Sequence, residues 1–106
     1  MEIKMTVESD VKIDEKIIID VKEPPKYNVI LLNDDITPMD WVIDILKKIF
    51  KHSDESAEYL TLTIHNEGSA IVGTYNYQIA EQKSLEVVSL SNRNAFPLRA
   101  TIEQTE

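Results

Sequence analysis

One junction limits the fold of this chain more than any other segment. Residues 27–32 (YNVILL) form an apolar run typical of a buried strand, and the polar triplet at 33–35 (NDD) ends it. Residues 37–40 (TPMD) then carry the signature of a helix start, with Thr37 as the predicted N-cap and Pro38 at the first helical position. A buried strand must therefore turn into a helix within a few residues, which places polar side chains at the edge of the core.

Helical and strand patterns alternate along the rest of the chain. Ser53 is typical of an N-cap, and Gly68 is typical of a helix end. In chain order the predicted elements are a strand at 27–32, helices at 38–50 and 53–68, a strand at 70–75, a helix at 77–92 and a strand at 98–102. This order predicts an α+β domain with a small sheet backed by helices.

Charge and the lack of cysteine exclude several classes of protein. The chain has 11 Lys and Arg against 19 Asp and Glu, for a net charge of −8 at pH 7. That balance argues against binding to nucleic acid or to an anionic membrane surface. We see no secretory signal and no run near the roughly 20 apolar residues of a membrane span. With no cysteine, disulfides, thiol catalysis and sulfur-ligated zinc are excluded, which favours a reducing, cytoplasmic setting.

The first 23 residues differ in composition from the rest. They hold 4 Lys and 7 acidic residues, which gives a net charge of −3, and they contain no aromatic residue. The Pro pair at 24–25 follows as a stiff, extended connector. We therefore expect a mobile N-terminal arm over 1–23 and a single folded, monomeric domain over 24–106.

Four polar residues are candidates for a binding site. Residues 33–35 and His65 offer an amide oxygen, two carboxylates and a neutral imidazole, all of which accept hydrogen bonds. Such a set suits a cationic donor, for example the free α-ammonium group of a peptide, and the apolar Met39 and Ile64 would accompany its side chain. Two other interpretations stay open: residues 33–35 could form only an Asx-type turn, and His65 could be a core-edge residue satisfied by a backbone group.

An enzyme using Asp34, Asp35 and His65 is a further alternative, through acid–base chemistry or a bound metal. However, no second histidine lies three or four residues from His65, so the usual metal-ligand spacing is missing. The chain also has only two glycines and no phosphate-binding or nucleophile motif. We read the remaining histidine, His52, as solvated or as complementing the dipole at the end of the first helix.

Residues 24–40 (PPKYNVILLNDDITPMD) strongly resemble the opening of the ClpS family. The resemblance continues through 61–65 (TLTIH), Gly68 and 70–75 (AIVGTY), and it resumes at 79–83 (IAEQK) and 96–98 (FPL), so that it covers about residues 24–103. It implies a three-stranded antiparallel sheet packed against three helices. It also implies a non-enzymatic adaptor, without a cofactor, that binds substrates with N-terminal Leu, Phe, Tyr or Trp. Such adaptors deliver these substrates to a Clp-family AAA+ unfoldase, ClpA or ClpC, which feeds the ClpP protease.

The resemblance also assigns roles to matching positions. The residues expected to bind the substrate α-amine are Asn33, Asp34, Asp35 and His65. Those expected to line the side-chain pocket are Leu32, Thr37, Met39, Val42, Thr61, Ile64 and Leu98, with Met39 as a gate against β-branched residues. Those expected to dock on the unfoldase are Tyr75, Gln78, Glu81 and Lys83, and the arm before Pro24 would engage the unfoldase during hand-over.

Two positions depart from the family pattern. Thr61 stands where relatives usually carry Met, so we expect a roomier or more polar pocket floor that favours Trp and Tyr relative to Leu. This departure permits an alternative function, a ClpS-like interaction domain with altered or broadened substrate choice. Gln78 stands where many relatives carry an acidic residue, which bears only on the strength or choice of unfoldase docking.

Overall fold

Six elements follow one another in the predicted order. We analysed a computed structural model, which describes residues 24–105; the arm predicted over 1–23 lies outside the described residues. The elements are β1 (Lys26–Leu32), α1 (Met39–Lys48), α2 (Asp54–Glu67), β2 (Ser69–Asn76), α3 (Tyr77–Arg93) and β3 (Arg99–Gln104). The α+β class is therefore confirmed, and the observed bounds differ from the predicted ones by a few residues at most.

The sheet has the order β2-β1-β3, with both neighbours antiparallel to the central strand β1. This arrangement confirms the three-stranded antiparallel sheet that the family resemblance implied. At the end of β1, Leu32 pairs with Ser69 on one side and with Arg99 on the other. The starts of β2 and β3 therefore meet the end of β1, and this edge of the sheet carries the polar triplet that follows β1.

Local capping explains where α2 and α3 begin. The Ser53 hydroxyl accepts a hydrogen bond from the Ser56 N–H at 3.2 Å, and the Asn76 side chain accepts one from the Ile79 N–H at 3.0 Å. Gly68 ends α2 in the left-handed region with φ 95°, and its N–H donates to the Ile64 carbonyl. The predicted cap residues Ser53 and Gly68 are thus confirmed.

The predicted start of α1 is wrong by one residue. Pro38, not Thr37, is the N-cap, with extended backbone angles and no side-chain cap hydrogen bond. The reason is local competition, because the Thr37 hydroxyl donates to the Asp34 carboxylate at 2.7 Å and so serves the preceding loop. Asp40 lies in the first turn, where a negative charge complements the helix dipole.

The core lies between the sheet and the helices. α3 packs against all three strands, whereas α2 packs against β2 and α1. The fully buried side chains with the largest volumes are Leu31, Ile45, Leu46, Leu98, Val29, Val72, Val87 and Ser91. Ser91 is satisfied there, since its hydroxyl accepts a hydrogen bond from the Trp41 indole N–H at 2.9 Å. No helix within residues 24–105 is long and apolar enough to cross a membrane.

Two side-chain predictions are wrong. Of the two interpretations of His52, the solvated one is wrong, since His52 is half-buried and its Nε2 lies 2.6 Å from the Val72 carbonyl oxygen. Because a carbonyl oxygen can only accept, Nε2 carries the proton and ties the α1–α2 loop to β2. The helical pattern at 77–92 also predicts Ile79 on the apolar side of that helix, yet Ile79 is 42% exposed. The buried side of α3 instead begins at Ala80 and continues through Val87 to Ser91.

Candidate functional site

The candidate site forms where the end of β1 meets the end of α2. The Asn33 N–H donates to the Gly68 carbonyl at 2.9 Å, directly after the pair Leu32–Ser69. This bond extends the β1–β2 ladder by one step and fixes the polar triplet beside the last turn of α2. His65 lies in that last turn, so residues 32 positions apart in the chain become neighbours in space.

Asp34 organises the loop between β1 and α1. Its Oδ1 accepts hydrogen bonds from the Ile36 N–H at 2.8 Å and the Thr37 N–H at 2.7 Å, and its Oδ2 accepts one from the Thr37 hydroxyl at 2.7 Å. Partial burial alone would raise the pKa of Asp34, but these hydrogen bonds and the charge of Arg99 hold that pKa below its ordinary value. The Asx-type turn is therefore confirmed at Asp34.

A pocket of about 200 Å³ opens beside this loop. It is lined by Leu32, Asn33, Asp34, Asp35, Thr37, Met39, Val42, Thr61, Ile64, His65 and Leu98. These are the residues predicted for the α-amine site and the side-chain pocket, and β1, the following loop, α1, α2 and the segment before β3 all contribute to them. An apolar cavity of about 150 Å³ is enough to hold benzene, so this pocket has room for one six-membered ring.

The two ends of the pocket differ in polarity. At its mouth Asp35 and His65 are exposed, and Met39 is 38% exposed. At its floor the apolar side chains are buried, namely Val42, Ile64 and Leu98. The exposure of His65 rules out the interpretation of this residue as a core-edge histidine. The arrangement suits a ligand that has one cationic, hydrated end and one apolar end.

Thr61 is the polar exception at the floor. It is 2% exposed, and its Oγ1 has no hydrogen-bond partner among the described residues. Such a group is uncommon, because buried hydroxyls are nearly always paired in folded proteins. Within residues 24–105, no group of three or more His, Asp or Glu side chains is arranged to hold a metal ion.

The residues predicted to dock on an unfoldase lie on β2 and the start of α3. Gln78 and Glu81 are exposed, whereas Tyr75 and Lys83 are half-buried and in contact. The Lys83 ammonium donates to the Ile49 carbonyl at 2.7 Å and lies 5.3 Å from the centre of the Tyr75 ring. Burial raises the pKa of the Tyr75 phenol. Lys83 therefore closes the C-terminal end of α1 as well as bordering this surface.

Tyr77 is a neighbour of this surface that the sequence patterns did not single out. Its hydroxyl donates to the Glu81 carboxylate at 3.3 Å, and its ring meets Tyr27 edge-to-face at 5.1 Å. The charge of Glu81 raises the pKa of the Tyr77 phenol. An aromatic residue four positions before an acid on a helix is the signal that could have identified this pair.

The fold and the pocket together define a small domain whose pocket has hydrogen-bond acceptors at its mouth and buried apolar side chains at its floor. Comparison with known proteins places it among protease adaptors. A family model described as "ATP-dependent Clp protease adaptor protein ClpS" matches residues 22–101. The chain therefore belongs to the ClpS family, whose members are adaptors of the Clp protease and not enzymes.

Individual relatives support this membership along most of the chain. The ATP-dependent Clp protease adapter protein ClpS of Treponema denticola is 44% identical over 104 residues, which is 98% of this chain and 99% of that protein. The adapter of the same name from Vibrio atlanticus is 50% identical over 84 residues, 79% of each chain. The fold is similar to the solved structure of Agrobacterium tumefaciens ClpS2 bound to L-phenylalaninamide, with a TM-score of 0.76 and 38% identity. That similarity covers 78% of this chain and 100% of the other.

Proposed function

We propose that this protein recognises substrates with a free N-terminal Leu, Phe, Tyr or Trp and delivers them to a Clp-family AAA+ unfoldase for degradation by ClpP. One observation carries the proposal. A single pocket combines exposed hydrogen-bond acceptors at its mouth with buried apolar side chains at its floor. A chain N-terminus has the same two parts in the same order, an ammonium group and then the first side chain.

The mouth suits an α-ammonium group. This group has three N–H donors and a positive charge, and Asn33, Asp35 and His65 can each offer one acceptor. Asp34 has a different role in this proposal. Because its oxygens are occupied by Ile36 and Thr37, it holds the loop that presents its two neighbours. Capture of an N-terminal amine is a recurring way of recognising peptides.

The floor suits one apolar or aromatic side chain. The volume of about 200 Å³ accommodates a single ring, and Met39 at the mouth would act as the gate against β-branched residues. The ligand named for Agrobacterium tumefaciens ClpS2, L-phenylalaninamide, carries a free amine and a phenyl ring. A ligand of that chemistry in a relative 38% identical to this chain supports the same assignment here.

Delivery would use the surface at the start of α3. Gln78 and Glu81 are its exposed polar members, and Tyr75 and Lys83 pack beside them. The partner would be the N-terminal domain of ClpA or ClpC in the cytoplasm. Because Gln78 is neutral, we expect this docking to depend less on salt than it would with an acid at that position.

A ClpS-like domain with altered or broadened substrate choice is the second candidate function, and Thr61 is the observation that favours it. A peptide pull-down across all N-terminal residues separates the two. Enrichment confined to Leu, Phe, Tyr and Trp supports the first candidate, and enrichment of other residues supports the second.

Isothermal titration with a Phe-initiated peptide and its Nα-acetylated twin tests the proposal directly. The free peptide should bind, and the acetylated peptide should not, because acetylation removes the charge and two donors. Asp35→Ala should weaken binding strongly, whereas Asp44→Ala removes an exposed carboxylate from α1 outside the pocket and should bind normally. Equal binding of the two peptides, or none by either, would overturn the proposal.

A further inference from the structure

The Thr61 hydroxyl is the polar atom at the pocket floor that lacks a partner. Its surroundings on the floor are the buried side chains of Val42, Ile64 and Leu98, none of which can accept or donate a hydrogen bond. Thr63, two residues further along α2, behaves as helical threonines often do, since its hydroxyl donates to the Tyr59 carbonyl at 3.0 Å. Within residues 24–105 Thr61 makes no such bond, and its hydroxyl has no hydrogen-bond partner there.

We propose that Thr61 determines specificity by pairing with the phenol of an N-terminal tyrosine. This inference rests on the proposed function, because the α-amine must be held at the mouth. His65 at the mouth and Thr61 at the floor are four residues apart on α2, about 6 Å along the helix axis. A tyrosine whose amine lies near His65 would place its hydroxyl, at the far end of the ring, at the depth of Thr61.

The chemistry separates tyrosine from the other candidate side chains. A hydroxyl is both donor and acceptor, so the phenol and the Thr61 hydroxyl can pair in either direction. Phenylalanine fills the same space but leaves Thr61 unpaired, and leucine also has no polar side-chain atom to pair with it. An indole N–H can donate to the Thr61 hydroxyl but cannot accept from it, so a Trp side chain offers one direction of pairing where a phenol offers two. The site therefore takes a phenol in preference to a phenyl group or a leucine side chain.

The test compares dissociation constants of peptides that differ only in the first residue, Tyr, Phe or Trp, by isothermal titration. The natural protein should bind the Tyr peptide about 3- to 10-fold more tightly than the Phe peptide, the range expected for one net hydrogen bond. Thr61→Val should bring this ratio close to one, and Thr61→Ser, which keeps a hydroxyl, should retain most of it. Thr63→Val is the matched control on the same helix and should leave the ratio unchanged.

The outcomes also separate this inference from the proposed function. If Phe peptides bind but the Tyr-to-Phe ratio is the same in the natural protein and in Thr61→Val, the inference is wrong while the proposed function stands. A Thr61-dependent advantage for Trp alone would likewise overturn the assignment to tyrosine. If no free-amine peptide binds, both the proposed function and this inference are wrong.

Discussion

Replacing Asp34 with alanine tests whether the rim of the pocket is built before a ligand arrives. The substitution removes three hydrogen bonds of 2.7–2.8 Å that join Asp34 to Ile36 and Thr37. The bond to the Ile36 N–H is exposed, and that donor can be rehydrated at little cost. The two bonds to Thr37 are partly buried, and we take about 1 kcal/mol for each. The ordered conformation of the loop should therefore be destabilised by about 2 kcal/mol.

Peptide affinity reports this loss, because Asn33 and Asp35 flank Asp34 on the same loop. If binding must restore the ordered loop, 2 kcal/mol corresponds to roughly 30-fold weaker binding of a Phe-initiated peptide in isothermal titration. Thr37→Val removes only the hydroxyl bond and should weaken binding by about fivefold. An exposed carboxylate outside the pocket provides the control, and Asp44→Ala should bind normally. A change below about threefold for Asp34→Ala would refute the reasoning.

Acid titration checks the same carboxylate independently. The hydrogen bonds from Thr37 and Ile36 outweigh partial burial, so the native pKa of Asp34 lies below its ordinary value. A carboxylate with a lowered native pKa stabilises the folded state above the pKa of the unfolded chain, about 4, and loses that effect as the pH falls through the native pKa. The difference in unfolding free energy between the natural protein and Asp34→Ala should stay constant above about pH 5 and shrink below about pH 4. A difference that does not shrink would contradict this role.

Three further predictions follow from single contacts. Lys83→Met keeps the aliphatic stem but loses the bond to the Ile49 carbonyl, so thermal denaturation should show a loss of about 1–2 kcal/mol; an unchanged melting temperature would contradict the contact. Gly68→Ala should lower the free energy of unfolding by about 1–2 kcal/mol, because the backbone at Gly68 has a φ of 95°. No atom lies within 4 Å of the added Cβ, so the penalty is conformational and not steric, and Gly68→Asn should lower the stability less. His65→Phe should weaken binding of a Phe-initiated peptide, because a phenyl ring cannot accept a hydrogen bond from the ammonium group, and unchanged affinity in isothermal titration would exclude that role.

Local patterns were enough to predict most of the fold. Ser53 begins and Gly68 ends α2 as expected, because each makes a hydrogen bond with the backbone only a few residues away. The predicted N-cap at Thr37 was wrong because the Thr37 hydroxyl donates to Asp34, three residues earlier. Sequence alone does not show whether this hydroxyl bonds to the preceding loop or caps the helix. The prediction that His52 is solvated was wrong for a different reason. Its partner, Val72, lies 20 residues away on β2, so no local pattern could reveal the contact.

The convergence of the site could not be derived from periodicity. Residues 33–35 and His65 are brought together by the pairing of β1 with β2 and by the bond from Asn33 to Gly68, both of which join segments distant in the chain. Their shared acceptor chemistry and the family resemblance linked these residues beforehand, but no sequence pattern showed that they are neighbours in space. The resemblance flagged Thr61 as unusual, yet the unpaired state of its hydroxyl is a property of three-dimensional packing that no sequence pattern contains.

In the proposed function, the two ends of the pocket would discriminate between ligands by different physical means. At the mouth, selection would depend on charge, because acetylation removes the positive charge that the Asp35 carboxylate would face. At the floor, apolar contacts alone distinguish similar side chains weakly, since one methylene is worth only about 1–3 kcal/mol in a hydrophobic pocket. A single buried hydroxyl would strengthen this discrimination, because it distinguishes a ligand side chain with a matching polar atom from one without it. If the proposed function holds, the buried hydroxyl of Thr61 gives this chain a means of ranking aromatic N-termini that an apolar residue at the same position would lack.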